Sequence, residues 1–480
     1  MSLTLASAPA PVAARAAAGC WVNDVHSALN QTRVLEVVAP ENEEEIANAI
    51  QSAAREERSI CASGSRHSMG GQQFARGETL LDLRSLRRVI ALDRHRGVIE
   101  VEAGIEWPEL IHACHALQPH DPAPWSIRQK QTGADGFTLG GSLSSNIHGR
   151  GLSMKPLAHD IESFTLIDGA GESLRCSRKS HPELFRLALG GYGLFGVISR
   201  VELRLQRRRK LRRQVKLVNR EELISSFETA IREGCLYGDF QFAIDPASPD
   251  LLRRGVFCTY LPVEESTPVN AQKQLSPADW LGLLRLAYTD PAEGFRRYAQ
   301  HYLASHGQTY WSDTHQLSPY LPGYAAALSE AVPASRNSSL VISELYVPRS
   351  QLAAFLQAAA DLLRARRVRV IYGTIRLIEQ DEDSYLPWAR APYACIIFNL
   401  LTPHSSAGQA ASRSAFLDLI DVATAMGGSF YLTYHRHANR ARVERCYPQF
   451  RDFLALKDRY DPDARFQSDW WRHYRQPPRP

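Results

Sequence analysis

The chain has 480 residues, a formal charge of +5, 44% hydrophobic and 22% charged residues. This length supports two or more lobes with sizeable cores, the composition is that of an ordinary globular protein, and the charge is too mild to imply nucleic-acid binding. The eight cysteines are scattered singly, with no CxxC and no zinc-ligand spacing to histidines, which suggests a reduced protein without a metal site.

The first twenty residues are rich in alanine and proline, without a basic start. Pro9 and Pro11 interrupt the apolar run, so no cleaved secretion signal is expected. No later run reaches the ~18 unbroken apolar residues of a membrane helix. The expected location is the cytoplasm.

Residues 34–38 predict a strand. ENEEEIANAIQSAAREE follows, with Ile46, Ala49, Ile50 and Ala53 at helical spacing and acidic residues in the first turn, where the helix dipole favours them. Residues 59–62 read as a short apolar strand, and the loop GSRHSMGG, 64–71, comes directly after it. Strands are predicted at 79–83, 89–92 and 98–104, and a helix from Pro108 to about Leu117. A long glycine- and serine-rich loop covers 131–151. Residues 161–167 and 172–176 flank DGAG, a hairpin signal. PELFRLALGG reads as a helix between proline and glycines, and 196–205 as a strand. Beyond residue 207 the texture changes, with longer helical stretches such as 351–366 and strands at 340–347 and 393–400. The aromatic run SFYLTYH, from residue 429, is read as a strand.

The basic run QRRRKLRRQ, 206–214, holds Arg207, Arg208, Arg209, Lys210, Arg212 and Arg213. Two readings stand: a solvated strand face between lobes, or a patch for an anionic lipid surface or a phosphorylated substrate.

GSRHSMGG can offer successive backbone N–H groups to an anion. It lacks both GxxxxGK[ST] and GxGxxG, so neither a nucleotide triphosphate site nor an ordinary nicotinamide site is supported. The second loop, TGADGFTLGGSLSSNIHGRG, carries six glycines among small hydroxylated residues, which allow close backbone approach to a ligand. Two such loops could clamp a long dinucleotide.

GSRHSMGG with TLGGSLSSNIHG, then ELFRLALGGYGLFGVISRVELRL, resembles the vanillyl-alcohol oxidase superfamily of FAD-linked oxidoreductases with a PCMH-type FAD-binding domain. NIHG and YDPDARFQSDWW are similar to the branch holding decaprenylphosphoryl-ribose oxidase, alditol oxidase and the aldonolactone oxidases. The resemblance implies an α+β fold, with a two-subdomain FAD-binding domain and an α+β substrate (cap) domain. The implied limits are an N-terminal extension at 1–30, the FAD domain at 31–206, the cap at 207–428 and a C-terminal segment at 429–480 that returns to the FAD domain.

For the cofactor, the resemblance implies FAD contacts from Ser63, Gly64, Ser65, Arg66, His67, Ser68 and Met69 in the first loop. From the second loop it implies Gly133, Thr138, Gly140, Gly141, Ser144, Ser145, Ile147, His148 and Gly149. Gly196, Val197 and Tyr431 complete the set. His67 occupies the position where several members bond a histidine to the flavin 8-methyl group, and neutral imidazole is a competent nucleophile near pH 7.

For catalysis, hydride must leave carbon for the flavin while a nearby group accepts the hydroxyl proton. Glu344, in SELYVP, alternates with apolar neighbours and is expected to point inward. Arg376 resembles the arginine of the Glu-x-Arg pair of aldonolactone oxidases, but Thr374 stands at the glutamate position, which argues against a lactone. Tyr434 is the third catalytic candidate. A lysine of the ribose oxidases is missing at its place, and strict strand alternation would put Tyr431 and Tyr434 on opposite faces. Asn399 is a further substrate-facing candidate. In the aldonolactone oxidases that the chain resembles, a small residue near the place of Ile147 eases oxygen access, so the resemblance implies that this bulky residue slows reaction with oxygen and favours another electron acceptor. The expected activity is hydride transfer from a hydroxyl-bearing carbon of a sugar, polyol or related metabolite. Oxidation of a C–N or C–C bond, or non-catalytic binding of anionic lipid or nucleic acid through the basic run, stand as rivals.

Overall fold

The structure is a computed structural model that describes residues 19–269, 273–317, 328–330, 332 and 335–476. Residues 1–18, most of the proposed N-terminal extension, lie outside the described residues. Helices and strands mix throughout, and the class is α+β.

The first helix, Glu43–Arg55, shows how local sequence sets an element. The Asn42 side chain accepts from the Glu45 N–H, three glutamates occupy the first turn, and Ile46, Ile50 and Ala53 are buried. The helix joins two strands of a parallel three-stranded sheet in the order Glu36–Val38, Thr79–Asp82, Ile60–Ser63. A separate five-stranded antiparallel sheet runs Ser173–Ser177, Ile161–Ile167, Val197–Arg204, Val98–Glu102, Val89–Asp93.

The largest sheet has eight antiparallel strands, from Thr309–Trp311 at one edge to Ser429–Phe430 at the other. The helices Leu352–Arg366 and Ser406–Ala425 cover one face through Phe355, Leu356, Phe416 and Leu419. On the opposite face the side chains alternate with period two, as strand geometry requires. Leu340, Ile342 and Glu344, then Tyr372, Thr374 and Arg376, then Ile397 and Asn399 all face one cavity. The tail closes back on the parallel sheet: Ile60 donates to the Arg465 carbonyl and Gln467 donates to the Ile60 carbonyl.

Two local expectations need correction. Residues 131–151 are not one loop, because a short helix, Leu139–Ser145, forms inside them with the Thr138 side chain capping Gly141 N–H. Its glycines matter for proximity: a Cβ on Gly140 would stand 2.8 Å from the Ala103 Cβ. The aromatic run at 429 is a strand only over Ser429–Phe430. Pairing with the strand Ser338–Pro348 ends with one last bond from Tyr431 N–H to the Glu344 carbonyl, which frees the residues after Tyr431 from alternation.

Among the described residues, no helix is long and apolar enough to cross a membrane. All eight cysteines are free.

Candidate active site and cofactor cradle

One cavity of about 950 Å3 lies between the two glycine-bearing loops, the strand start at Gly196 and the polar face of the eight-stranded sheet. Its size is at the top of the usual range for small-molecule sites, enough for a cofactor with substrate beside it.

The first loop enters from the strand Ile60–Ser63. Arg66 takes a left-handed φ of 62° and pairs with Asp82 at 3.1 Å. The Ser65 hydroxyl donates to Glu106 at 2.8 Å. The backbone N–H groups of Ser65, Arg66, His67 and Ser68 have no acceptor within the described chain, and all four residues line the cavity. Successive free N–H groups form a concavity suited to a phosphate. The two loops touch closely, since a Cβ on Gly64 would lie 2.0 Å from Thr138 Oγ1.

His67 is held on both nitrogens. Nδ1 is 2.9 Å from His26 Nε2, and Nε2 is 2.8 Å from the Gly136 carbonyl. Its ring centroid lies 3.9 Å from that of Phe137. Burial, helped by the neighbouring His26 ring, pushes the imidazole down to about 3, so His67 is neutral. His26 and Phe137 escaped the sequence reading, because nothing in their local pattern ties them to the loop.

On the sheet side, Glu344 is the centre of a buried hydrogen-bonded cluster. His148 Nε2 is 2.9 Å from Oε1, and the Tyr434 hydroxyl donates to Oε2 at 3.0 Å. The Tyr346 hydroxyl also donates to Oε1, and the Cys395 thiol lies 3.6 Å from it. Burial alone would raise the Glu344 carboxyl, but His148 and the donated hydrogen bonds outweigh it, and the group lies below its ordinary range. Burial and the adjacent carboxylate hold Tyr434 well above the usual phenol range, so it is a neutral donor. His148, Glu344 and Cys395 offer ligand-type atoms within 4.8 Å of one another. Hydrogen bonds join the trio, and burial raises the Cys395 thiol well above its usual value.

Tyr431 and Tyr434 both reach the cavity, because strand pairing ends between them. The Tyr431 hydroxyl donates to the Ser145 carbonyl at 2.6 Å, and the two rings stand 5.6 Å apart. Arg376 donates to the Thr132 hydroxyl. Asn399 faces the cavity and donates to the Tyr372 carbonyl at 3.3 Å.

Of the residues singled out from sequence, three lie off the cavity wall. Met69 is fully buried and gives its N–H to the Thr433 carbonyl. Gly149 packs against Gln129 and Lys130, and Val197 belongs to the core with Ile46 and Ile50. Alternation at 196 and 197 sends the valine side chain inward while Gly196 lines the cavity at φ 146°. Ser63, Gly64, Ser65, Arg66, His67 and Ser68 line one side, and Gly133, Thr138, Gly140, Gly141, Ser144, Ser145, Ile147 and His148 another. Arg150, Arg213, Asp239 and His315 line the end farthest along the sheet and were not anticipated as site residues, although Arg213 lies in the basic run. In that run, Arg208 pairs with the buried Asp313 at 2.9 Å and Arg207 packs over Trp125.

The walls fit a flavin dinucleotide. Four free N–H groups suit a pyrophosphate. At Gly133 and Gly193, both on the wall, a Cβ would meet no protein atom and would occupy ligand space. A neutral imidazole and a buried, hydrogen-bonded carboxylate both line this cavity.

Comparison with known proteins agrees with this chemistry. Residues 34–177 match a family profile described as FAD binding domain, and residues 328–474 match one described as D-arabinono-1,4-lactone oxidase. The chain is 24% identical over 442 residues to L-gulono-1,4-lactone dehydrogenase of Mycobacterium tuberculosis, covering 91% of this chain and 95% of the relative. It is 29% identical to a mitochondrial L-galactono-1,4-lactone dehydrogenase of Oryza sativa over 42% of this chain and 34% of that one. Cytokinin dehydrogenase 2 of Arabidopsis thaliana is 29% identical over 35% of this chain and 32% of that one. The chain is an FAD-dependent oxidoreductase, and its FAD binding domain together with the lactone-oxidase match is consistent with the vanillyl-alcohol oxidase superfamily.

Proposed function

We propose that the protein oxidises a hydroxyl-bearing carbon of a sugar, polyol or sugar lactone, with FAD attached through His67. The observation that carries this reading is the buried Glu344 carboxylate, held by His148 and Tyr434 on the wall of the cavity that the loop of His67 also lines. Bound FAD would supply the hydride acceptor. Glu344 accepts the hydroxyl proton from substrate, Tyr434 orients the carboxylate by donating to Oε2, and His148 shares the charge through Oε1. General-base assistance of this kind contributes about 10^2- to 10^4-fold in rate. Arg376, on the same sheet face, orients a substrate oxygen.

Covalent attachment is supported by the chemistry of His67. The ring is neutral, held by two hydrogen bonds and packed at a tilt against Phe137, so it is aimed rather than mobile. The bulky Ile147 on the wall supports an electron acceptor other than oxygen, and all three relatives above are named dehydrogenases. Thr374 first argued against a lactone. The names of the long-matching relative and of the second profile now favour one, and Glu344 supplies a carboxylate on the same face as Thr374.

The similarity to cytokinin dehydrogenases favours a second reading, oxidation of a C–N bond. The deciding experiment is an anaerobic screen of sugars, polyols, aldonolactones and amines for flavin bleaching. Bleaching by a hydroxylated compound supports the proposal, and bleaching by amines alone overturns it. Admitting air afterwards reports the rate of oxygen reaction. The remaining exposed cations of the basic run, Arg209 and Arg212, are available to an anionic surface, which a vesicle co-sedimentation assay tests.

A further inference from the structure

We propose that the end of the cavity formed by Arg150 and Arg213 binds an oxyanion, a carboxylate or phosphate group, carried by the substrate at a distance from the carbon that is oxidised. The inference rests on the reading of this cavity as a flavin-linked substrate site.

The first argument is charge. On the sheet side of the cavity, Arg150, Arg213, Lys273 and Arg376 stand against only two carboxylates, Asp239 and Glu344. Glu344 is already engaged by His148, Tyr346 and Tyr434. Asp239 meets Arg150 alone, at 3.3 Å. Among the described residues, neither Arg213 nor Arg376 has a carboxylate within ion-pair range, and the segments 270–272 and 318–327 contain no aspartate or glutamate.

The second argument is construction. Arg150 and Arg213 both pack on the ring of Tyr260, at 5.0 and 5.3 Å from its centroid. Arg213 also lies 4.3 Å from the Tyr310 ring and donates to the Tyr260 hydroxyl at 3.1 Å and the Ser305 hydroxyl at 3.0 Å. The Arg150 side chain is only 12% exposed. Two guanidinium groups held beside one aromatic ring, of which only Arg150 meets a carboxylate, repel each other and have lost much of their hydration. Such an arrangement is stable at low cost when an anion binds there, and planar arginine forks match carboxylate and phosphate oxygens. Aromatic packing fixes the forks in advance, which lowers the entropy lost on binding.

The third argument is placement. Phe240 pairs with Ile375, Thr374 with Ile397, and Ile397 with Glu344. The strand carrying Asp239 is therefore three strands from the one carrying Glu344, roughly 14 Å at the usual strand spacing. Anion recognition and proton removal fall at opposite ends of one substrate.

The test uses the yellow holoenzyme and reads dissociation constants from perturbation of the flavin spectrum under anaerobic conditions. Matched ligands are D-glucose, D-glucuronate and D-glucose 6-phosphate, with D-glucitol and D-glucitol 6-phosphate as an open-chain pair. At least one charged member is expected to bind ten-fold or more tightly than its neutral parent, with inorganic phosphate competing. The better of glucuronate and the phosphates distinguishes the two oxyanions. In Arg213→Gln the charged-to-neutral ratio is expected to fall towards one. No advantage for any charged member in the wild type overturns the proposal, as does an advantage that survives in both Arg213→Gln and Arg150→Gln. If the variants do not fold, the wild-type comparison decides alone. A sample without flavin would instead defeat the functional reading itself.

Discussion

Glu344 and Thr374 face the cavity in one cross-strand row, with Ile397 between them. The Glu-x-Arg pattern of similar enzymes lacks its glutamate at Thr374, but the sheet presents a carboxylate two strands away on the same face. Only strand pairing exposes this relationship, because thirty residues of sequence separate the two positions. Glu344→Gln keeps the shape and removes the base. Substrate-driven flavin reduction is expected to fall about 10^2- to 10^4-fold, with FAD content retained, as stopped-flow half-reactions would show.

The pH profile of the same half-reaction follows from the depressed Glu344 carboxyl. A carboxyl whose folded value lies below its ordinary range is ionised above that value, so the rate should hold down to the usual glutamate range and fail only below it. A rate that falls as pH drops from 7 to 6 would remove Glu344 from the role.

His67 predicts a separate result. After acid precipitation the wild-type flavin should stay with the pellet, and His67→Ala should release it to the supernatant. Because burial holds the imidazole neutral down to about 3, attachment to apoprotein should proceed at similar rates at pH 6 and pH 8. Mass spectrometry of the intact chain reports both.

The two kinds of cavity glycine should behave differently. At Gly64 a Cβ would collide with Thr138 Oγ1, so Gly64→Ala should disturb the loop and the helix cap together, lowering stability by about 1 kcal/mol or more. At Gly133 a Cβ meets no protein atom but enters the cavity. Gly133→Ala should therefore leave the apoprotein melting temperature unchanged while lowering FAD incorporation. Thermal melts with and without FAD separate the two.

Acid stability carries a sign of its own. Burial pushes His435 down to about 4 and His437 down to about 3. Below pH 6.5 the unfolded chain takes up protons at these positions while the folded chain does not, so stability falls with pH. Each contributes about 1.4 kcal/mol per pH unit until its folded value is reached. Urea melts at pH 7, 6 and 5 should show a midpoint that falls steadily. A midpoint that is constant or rises toward pH 5 would contradict the burial of these rings.

Local chemistry made much of this legible from sequence. The helix after Asn42 shows its cap, its acidic turn and its apolar stripe, and the first glycine loop shows its place after a strand. Alternation around Glu344 was enough to expect it inside. What stayed hidden depends on distant contacts. Nothing local ties His26 to His67, 41 residues away. The basic run read as a surface feature because strand residues were counted by charge, whereas alternation turns Arg213 inward while Arg212 faces solvent. The strand at 429 is shorter than its aromatic residues suggest, because such residues favour strands anywhere and only the end of pairing at Tyr431 limits it.

The most direct measurement is the visible spectrum of natively purified protein, followed by addition of FAD to any colourless fraction. The account requires a flavin spectrum at near-stoichiometric content, bleached anaerobically by a hydroxylated substrate. A folded, monodisperse sample that lacks flavin and refuses added FAD would contradict it.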